Sequence, residues 1–268
     1  MPTDSRSQHP YLADTQQPRI IAHRGFVPAD LAADGVVENT RAAFTAALAA
    51  GAGYLETDCH LTRDGVVVLA HDADLTRIAN DPREIAAVDR AELDGVFADR
   101  GGLLTLADAL AEYPHARWNI DVKARAVAEP LGRIVAPHGA RVLVTSFSDA
   151  YRRAALEAAV GERRAILPAT SPGKRTLTRV LLAVASGSRR AAERALTGLD
   201  ALQIPERQGR LRVLTPRLIA TAHASGVEVH VWTVNDGQRM RELVAMGVDG
   251  VVTDRTDLAV EALRADQS

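Results

Sequence analysis

Short runs of β-branched and other apolar residues alternate along the chain with longer segments whose apolar residues recur at helical spacing. This alternation is typical of repeated strand–helix units that build a parallel sheet in an α/β protein. Strands are predicted at eight segments, residues 19–22, 54–59, 117–122, 141–145, 163–167, 201–204, 227–232 and 250–252. Helices are predicted to begin near eight positions, Asn39, Thr105, Ala126, Ser148, Pro172, Thr215, Asn235 and Thr256. Eight such units favour a closed TIM (β/α)8 barrel, and an open doubly wound sheet is the alternative.

The spacing of the elements also predicts the domain organisation. Residues 72–115 are too many for an ordinary connection between a strand and the next helix, and they contain Asp81-Pro82 and Gly101-Gly102. We therefore expect a small insertion between barrel strands 2 and 3, placed as a cap over the barrel mouth. Residues 1–18 are polar and are expected to form a flexible N-terminal tail, and residues 19–268 are expected to form one domain.

Composition narrows the class of protein. Hydrophobic residues make up 47% of the 268 residues and charged residues 25%, which are ordinary globular values. The formal net charge is −2 and aromatic residues make up 4%, so we expect no nucleic-acid partner. The single cysteine, Cys59, excludes an internal disulfide and a multi-cysteine metal site. With no signal-peptide pattern and no apolar run long enough for a membrane span, the sequence predicts a soluble cytoplasmic protein of undetermined oligomeric state.

Common catalytic signatures are absent, since no GxGxxG follows a predicted strand and GxxxxGK[ST], HExxH and GxSxG do not occur. Polar residues instead follow the predicted strands, at the end of a barrel where active sites are built. His23-Arg24-Gly25 directly follows the first strand. An imidazole transfers protons near neutral pH, a guanidinium binds phosphate bidentately, and glycine permits a tight turn. A capping histidine beside a surface arginine is the alternative interpretation.

The second strand carries two carboxylates on one face. Glu56, Asp58 and His60 are two residues apart and point the same way, whereas Cys59 points to the opposite face and is expected in the core. Carboxylates that face a barrel interior are costly to bury unless they are paired or bind a cation, and hard divalent cations prefer oxygen ligands. An ion pair with Arg or Lys is the alternative. For His60, an ordinary polar position at the rim is favoured over substrate contact.

The third strand adds Asn119, Asp121 and Lys123 on one face. Three carboxylates on two adjacent strands suit one divalent cation, either Mg²⁺ or Ca²⁺, with Lys123 available to an anionic substrate. An ion pair within the strand is the alternative. His71-Asp72 supplies a second imidazole, so that together with His23 the chain has the acid and the base that phosphoryl transfer or hydrolysis requires.

Two further features have mainly structural interpretations. His230 shares a face with Trp232, and we expect His230 to be a hydrogen-bonded interior residue. Residues 163–194 contain eight basic residues and one acidic residue, Glu193, around the apolar run 180–185. A solvated outer helix is the favoured interpretation, and weak contact with an anionic membrane surface is the alternative.

These residues, in this order, resemble the glycerophosphodiester phosphodiesterases, a group within the phosphatidylinositol-phosphodiesterase-like barrels. The resemblance extends over essentially all of the chain after Pro18. It rests on His23-Arg24-Gly25, Glu38-Asn39-Thr40, Glu56-Thr57-Asp58, Thr62-Arg63-Asp64-Gly65, His71-Asp72, Asp121-Val122-Lys123, Ser146-Phe147, Val231-Trp232-Thr233-Val234-Asn235 and residues 247–254.

The resemblance implies a metal-dependent barrel hydrolase that converts glycerophosphodiesters to glycerol 3-phosphate and an alcohol such as choline or ethanolamine. It implies one divalent cation with Glu56, Asp58 and Asp121 as ligands. It also implies His23 and His71 as the general acid and base. The remaining site residues that it implies contact the phosphate, shape the pocket or line its mouth, and they are Arg24, Lys123, Phe147, Trp232, Glu38 and Asn39.

The chain departs from the family pattern at two places. Asp121 stands where the family commonly has glutamate, and because its side chain is shorter, a water can intervene between it and a metal. Residues 26–37 form a longer first loop than is usual, which can alter the choice of substrate. The alternatives to the hydrolase are a lysophospholipase D, a lyase that forms a cyclic phosphate, and a protein that binds phosphodiesters without turnover.

Overall fold

The computed structural model describes residues 9–13, 15–160 and 166–264. The strands are β1 (Arg19–Ala22), β2 (Tyr54–Leu61), β3 (Val67–Leu69), β4 (Asp74–Leu75), β5 (Asp81–Glu84), β6 (Arg117–Val122), β7 (Val142–Thr145), β8 (Ala169–Thr170), β9 (Ala201–Pro205), β10 (Arg207–Gln208), β11 (Leu211–Arg212), β12 (Glu228–Trp232) and β13 (Gly250–Thr253).

The α-helices are α1 (Ala29–Ala33), α2 (Arg41–Ala49), α3 (Thr76–Ala79), α4 (Arg90–Phe97), α5 (Leu106–Glu112), α6 (Arg125–Val135), α7 (Asp149–Ala158), α8 (Lys174–Ser186), α9 (Arg189–Leu196), α10 (Pro216–Ala224), α11 (Gly237–Ala245) and α12 (Thr256–Arg264). Two 3₁₀ turns span Ile85–Ala87 and Ala136–Arg141. Ser148 and Thr215 cap α7 and α10 as the sequence predicts, whereas Asp236 rather than Asn235 caps α11. No helix within the described ranges is long and apolar enough to cross a membrane.

Eight parallel strands form a nearly closed barrel in the order β8-β7-β6-β2-β1-β13-β12-β9. This confirms the predicted TIM barrel. The two end strands, β8 and β9, meet through a few hydrogen bonds instead of a continuous ladder. The Asp200 amide donates to the Thr170 carbonyl at 2.9 Å, and the Asp200 carboxylate accepts from the Thr170 amide at 2.8 Å. The Ser171 hydroxyl accepts a further bond from the Gln203 amide at 3.1 Å. Two side chains, those of Asp200 and Ser171, thus help to complete the closure of the barrel.

The fifth predicted strand, residues 163–167, is misplaced. Ile166 and Leu167 lie outside any strand and are 45% and 48% exposed, while residues 161–165 lie outside the described residues. Strand β8 begins at Ala169, which pairs with Leu143 of β7. Pro168, which has no amide hydrogen to donate, separates Ile166 and Leu167 from the strand.

Strand alternation and register carry the polar side chains to one end of the barrel. In the parallel ladder of β2 and β6, Glu56 lies beside Asn119 and Asp58 lies beside Asp121. Residues two apart on a strand point to the same face, so both pairs project toward the barrel axis. The register therefore places the predicted carboxylates next to one another.

The opposite end of the barrel is closed by residues expected to be a flexible tail. Tyr11 and Leu12 are buried, and the Tyr11 ring meets Tyr54 edge to face at a centroid distance of 5.2 Å. Arg19 donates to the Leu12 carbonyl at 2.6 Å and pairs with Glu228 at 2.7 Å. The described part of the N-terminal segment therefore belongs to the barrel rather than to a tail, because its aromatic side chain fills the space that the ring of strands encloses.

Two apolar layers surround the barrel. One packs α2, α5, α6 and α7 against β2, β6 and β7, and it contains Cys59, which is fully buried as predicted. The other packs α8 to α12 against β9, β12 and β13. His230 is also buried, and its Nε2 lies 3.0 Å from the Glu228 carboxylate, which agrees with its predicted interior position.

The long segment between β2 and β6 is an insertion with its own apolar core. It contains β3, which pairs antiparallel with β2, and the small β4–β5 hairpin with α3, α4 and α5. The core includes Leu75, Ile85, Leu93 and Phe97. The insertion lies between the second and third barrel strands as predicted, and its function as a cap stays a prediction.

Candidate active site

A cavity of about 250 Å³ opens at the carboxyl ends of the barrel strands. It is lined by His23, Arg24, Glu56, Asp58, His71, Asn119, Asp121, Lys123, Thr145, Ser146, Phe147, Pro172, Gln203, Trp232, Thr233 and Val252. Nine of these are among the predicted catalytic, metal-binding or substrate-binding residues. Glu38 and Asn39, which were expected at the mouth, do not line the cavity, although both contact residues that do.

The turn after β1 brings His23 and Arg24 into the cavity. Arg24 and Gly25 both adopt positive φ angles, 57° and 86°, which reverse the chain directly after the strand. A Cβ at residue 25 would lie 2.8 Å from the carbonyl carbon of Ala43, so glycine is required by both its φ angle and its close packing. The turn also directs the Arg24 amide to the Glu56 carboxylate at 3.0 Å. The backbone thus fixes the first strand end against the second.

His23 is held by a carboxylate from the last strand end. Its Nδ1 lies 2.6 Å from Oδ1 of Asp254, and its Nε2 lies 4.0 Å from Oε2 of Glu56. Asn235 donates to the other oxygen of Asp254 at 2.7 Å and fixes that carboxylate. Burial alone would lower the pKa of His23, but the bond to Asp254 and the charge of Glu56 raise it above its ordinary value. Because a carboxylate only accepts, Nδ1 carries the hydrogen and Nε2 faces the cavity.

Three buried carboxylates, Glu56, Asp58 and Asp121, lie on adjacent strands, as predicted. Lys123 joins two of them, with its Nζ 2.8 Å from Asp58 and 2.7 Å from Asp121. Burial, followed by the charge of Asp58, raises the pKa of Glu56 to about 8. Burial also raises the pKa of Asp121, and the charge of Lys123 only partly offsets this effect. Burial, together with repulsion between the carboxylates, therefore disfavours ionisation of all three at once.

Two oxygen acceptors in this cluster have no hydrogen-bond donor among the described residues. They are Oδ1 of Asp121 and Oδ1 of Asn119, and both belong to buried residues that line the cavity. Within the described ranges, no group of three or more acidic, histidine or cysteine side chains is arranged to hold a metal ion. In this arrangement the Lys123 ammonium lies between the carboxylates of Asp58 and Asp121.

His71 reaches the cavity from the loop after β3, and a chain of alternating charges holds it. Its Nδ1 lies 2.7 Å from Asp72, whose other oxygen accepts from Nε of Arg77 at 2.6 Å. Arg77 also donates to Glu38 at 2.7 Å, and the same oxygen of Glu38 accepts from Arg24 at 2.9 Å. Arg77, on α3 of the insertion, therefore connects the second imidazole to the Arg24 guanidinium on the first loop.

Asn39 and His60 support the site from outside the cavity. Asn39 is buried with a φ of 59°, accepts from the Thr57 hydroxyl at 2.8 Å and donates to Asp58 at 3.4 Å. His60 lies 3.1 Å from the carbonyl oxygen of His71, and burial lowers its pKa. The backbone contact of His60 agrees with the structural interpretation favoured for it.

Two aromatic side chains form one wall of the cavity. The rings of Phe147 and Trp232 meet edge to face, with centroids 6.0 Å apart and planes at 84°. Phe147 follows β7 and is 50% exposed, whereas Trp232 ends β12 and is partly buried. The pair offers an apolar surface between the charged floor of the cavity and solvent.

Sequence reasoning missed three residues that orient the histidines, namely Asp254, Asp72 and Arg77. Asp254 directly follows β13, so the rule that selected His23 and Lys123 at strand ends would also have selected Asp254. Asp72 adjoins His71 in sequence, but adjacency alone indicates no role for its carboxylate. Arg77 lies inside the insertion, where no strand-end signal applies.

The arrangement combines the parts needed to act on a phosphodiester. Two imidazoles, each oriented through Nδ1 by a carboxylate, face the same cavity. Arg24 and Lys123 supply positive charge for a phosphoryl group, and buried carboxylates supply oxygen ligands for a cation. This donor set suits acid–base cleavage of an anionic substrate.

Comparison with known proteins agrees with this geometry. Residues 23–258 match the sequence model of the glycerophosphoryl diester phosphodiesterase family. The chain is 38% identical over 251 residues to "Probable glycerophosphodiester phosphodiesterase 2" of Mycobacterium tuberculosis, across 91% of this chain and 90% of that protein. It is 34% identical over 122 residues to a mouse lysophospholipase D, across 40% of this chain and 35% of that protein. The fold is similar to an Oleispira antarctica phosphodiesterase in complex with sn-glycerol-3-phosphate, with a TM-score of 0.67 and 22% identity, across 92% of this chain and 96% of that one.

Proposed function

The chain belongs to the glycerophosphoryl diester phosphodiesterase family and is a phosphodiester hydrolase, and from this premise we propose that it converts glycerophosphodiesters to glycerol 3-phosphate and an alcohol with the help of one divalent cation. One observation carries the proposal. His23 and His71 face a single cavity that also presents Arg24, Lys123 and three carboxylates. The product found in the Oleispira antarctica relative, sn-glycerol-3-phosphate, is the phosphate ester that this reaction would release.

The cations of the site bind the phosphate group. Arg24 presents a guanidinium that is paired with Glu38 and lies 3.2 Å from Asp58, and Lys123 presents an ammonium between Asp58 and Asp121. Burial would lower the pKa of Lys123, but the charges of Asp58 and Asp121 raise it above its ordinary value, so that it stays protonated. A substrate phosphate then competes with carboxylates for two permanent positive charges. That competition favours ligands that are fully charged at neutral pH, such as a phosphodiester, over neutral ligands.

The two histidines transfer the protons. Water adds its oxygen to phosphorus while the bond from phosphorus to the alcohol oxygen breaks. One imidazole accepts the proton of the water and the other donates a proton to the alcohol, which leaves neutral. Asp254 and Asp72 hold the Nδ1 atoms of His23 and His71, which leaves the Nε2 atoms for these transfers.

The cavity fits a divalent cation in its donor chemistry. Glu56, Asp58 and Asp121 offer the hard oxygen ligands that Mg²⁺ and Ca²⁺ prefer, and the unpartnered oxygens of Asp121 and Asn119 leave acceptor capacity unused. Burial and then the charge of Asp58 raise the pKa of Glu56, and a cation held by these carboxylates would offset both effects. When bound, it would neutralise charge on the phosphate oxygens.

The test measures release of glycerol 3-phosphate from glycerophosphocholine and glycerophosphoglycerol, with Mg²⁺, Ca²⁺ or chelator. We expect chelation to abolish release, and we expect His23→Ala and His71→Ala each to lower kcat by at least about 100-fold. The matched control is His115→Ala, because His115 is exposed and lies outside the cavity. Full activity with chelator would contradict the requirement for a divalent cation. Full activity in both histidine variants would contradict the acid and base roles of His23 and His71.

A second candidate function is lysophospholipase D activity, which the match to the mouse enzyme favours. A lysophospholipid substrate would bring the protein to a lipid surface, and the basic stretch predicted at residues 163–194 provides a site for weak contact with anionic lipid. In the described part of this stretch, Leu182 on α8 is 65% exposed and no acidic residue other than Glu193 is present. Choline release from lysophosphatidylcholine, and sedimentation with vesicles containing phosphatidylglycerol, test this candidate.

The two remaining alternatives give different products. Attack by a neighbouring substrate hydroxyl would yield a cyclic phosphate, which phosphorus NMR distinguishes from glycerol 3-phosphate. A protein that only binds would leave the diester unchanged after prolonged incubation. The cytoplasmic location predicted from the sequence is part of the same proposal and is tested by fractionating the cells that produce the protein.

A further inference from the structure

Lys174 does not line the cavity itself, but it lies against Phe147 of the aromatic wall. Its Nζ is 4.9 Å from the centroid of the Phe147 ring, and Nζ of Lys123 is 5.7 Å from the same centroid. The aromatic face that a cationic ligand would seek is thus already in contact with two ammonium groups of the protein.

The backbone holds Lys174 in this place. Its amide donates to the carbonyl oxygen of Phe147 at 3.0 Å. The Asp149 carboxylate accepts from the amides of Gly173, Arg175 and Thr176 at 3.2, 3.1 and 3.1 Å, and so caps the first turn of α8. A Cβ at Gly173 would lie 2.6 Å from the Asp149 amide nitrogen, so only glycine permits this close approach. The start of α8 is therefore fixed to the loop that carries Phe147.

The Lys174 ammonium is available to a ligand. Within the described residues it forms no ion pair with a carboxylate, in contrast to Arg24 and Lys123, which are both paired. A substituent of the phosphate that extends from Lys123 toward solvent passes Phe147, which is 50% exposed. That substituent then comes near the Lys174 ammonium, a second positive charge that no carboxylate among the described residues neutralises.

We propose that Phe147 and Lys174 form the subsite for the alcohol half of the substrate and that this subsite selects neutral or anionic alcohols over quaternary ammonium alcohols such as choline. The proposal rests on the glycerophosphodiester activity proposed above. The positive charge of Lys174 repels the quaternary ammonium of choline. The hydroxyls of a polyol instead accept hydrogen bonds from the Lys174 ammonium, and the polyol carbon atoms pack on the Phe147 ring.

The experiment compares kcat/KM for glycerophosphocholine, glycerophosphoglycerol and glycerophosphoinositol. In the wild-type protein we expect the two polyol diesters to be favoured by about tenfold. In Lys174→Met the preference should fall to within about twofold, and in Lys174→Glu glycerophosphocholine should become the better substrate. The wild-type preference should also narrow as the salt concentration rises, because an exposed ammonium is screened.

Arg175→Met is the matched control, since it removes the same charge one residue along the exposed side of α8 and leaves the ratio unchanged. If the ratio of kcat/KM between the polyol diesters and glycerophosphocholine stays the same in Lys174→Met and in Lys174→Glu, the proposed subsite is overturned. In that case the polyol and choline diesters would still be hydrolysed, whereas failure of the proposed function itself would show as no hydrolysis of any of the three substrates.

Discussion

Asp254 lies 2.6 Å from Nδ1 of His23, although 231 positions separate the two residues in the chain. The contact joins the last strand end of the barrel to the first, which are neighbours because β1 pairs with β13. It fixes which nitrogen of the imidazole faces the cavity.

Replacing Asp254 with Asn should lower kcat while changing KM little. The amide can offer its NH₂ group to Nδ1, which stabilises the wrong tautomer of His23 and removes the charge that raises its pKa. We expect a loss of about 100-fold in steady-state hydrolysis of glycerophosphoglycerol. Asp257→Asn is the control, because Asp257 is exposed and pairs only with Arg255 among the described residues. An equal loss in both variants would show that the effect is not specific to the histidine contact.

Replacing Arg77 with Met should lower kcat/KM by roughly tenfold without unfolding the protein. The substitution removes the cation between Asp72 and Glu38, so that neither His71 nor Arg24 keeps its orientation. Arg83→Met in the same insertion is the matched control, since Arg83 pairs with Asp81 and Glu92 on the surface. Arg77→Lys should restore part of the activity, as lysine can pair with one carboxylate at a time. Wild-type kinetics in Arg77→Met would exclude a positioning role.

The stability of the protein should fall in acid partly through Glu228. Bonds from His230 and Arg19 outweigh burial and lower the pKa of this carboxyl from 4.5 to about 2. A lowered folded-state pKa contributes stability that is fully present above the unfolded value of about 4.5 and is lost as the pH falls toward 2. The contribution is about 3 kcal/mol at neutral pH.

Urea unfolding at pH 7, 4 and 3 measures this contribution as the difference between the wild type and Glu228→Gln. The difference should be largest at pH 7, where the variant also leaves Arg19 buried without a charged partner, and it should narrow with acidification. Glu261→Gln, at an exposed position on α12, serves as the reference. A difference that does not vary with pH would contradict the lowered pKa of Glu228.

The N-terminal segment should contribute measurably to stability. Tyr11→Ala empties the space that the Tyr11 ring fills within the ring of strands and should cost about 3 kcal/mol of unfolding free energy. Tyr11→Phe should be neutral or slightly stabilising, because the Tyr11 hydroxyl is buried with no hydrogen-bond partner among the described residues. Thermal and urea unfolding of the two variants provide the comparison. Equal stability of Tyr11→Ala and the wild type would contradict a contribution of the Tyr11 ring to stability.

The features that could be predicted from sequence are those encoded by local periodicity. Alternation along β2 and β6, continued to the residue after β6, correctly placed Glu56, Asp58, Asp121 and Lys123 on one side, since the direction of a side chain on a strand depends only on parity. The succession of strands and helices predicted the barrel for the same reason. The position of His23 at the end of β1 could likewise be predicted from the local sequence, without any contact to a distant residue.

The features that escaped prediction depend on contacts between distant parts of the chain. The burial of Tyr11 follows from the space inside the closed barrel, which no polar N-terminal sequence reveals. The pairing of Arg77 with both Asp72 and Glu38 requires the insertion to fold back on the first loop. The strand predicted at 163–167 is wrong for Ile166 and Leu167, because two adjacent apolar residues resemble a strand even where a proline separates them from the neighbouring ladder.

The division of the outer apolar layer into two clusters has a consequence for how the barrel loses activity. Each cluster joins one half of the barrel to its own helices, and the halves meet at β1 and at the β8–β9 junction, where the ladder is interrupted. His71, Lys123 and Phe147 belong to the first half, whereas Trp232 and Asp254 belong to the second. The two halves are therefore candidate cooperative folding units. Their separation at the junction would pull the catalytic residues apart, while most backbone amides within each half would stay protected from hydrogen exchange. Inactivation should thus precede global unfolding as the temperature rises.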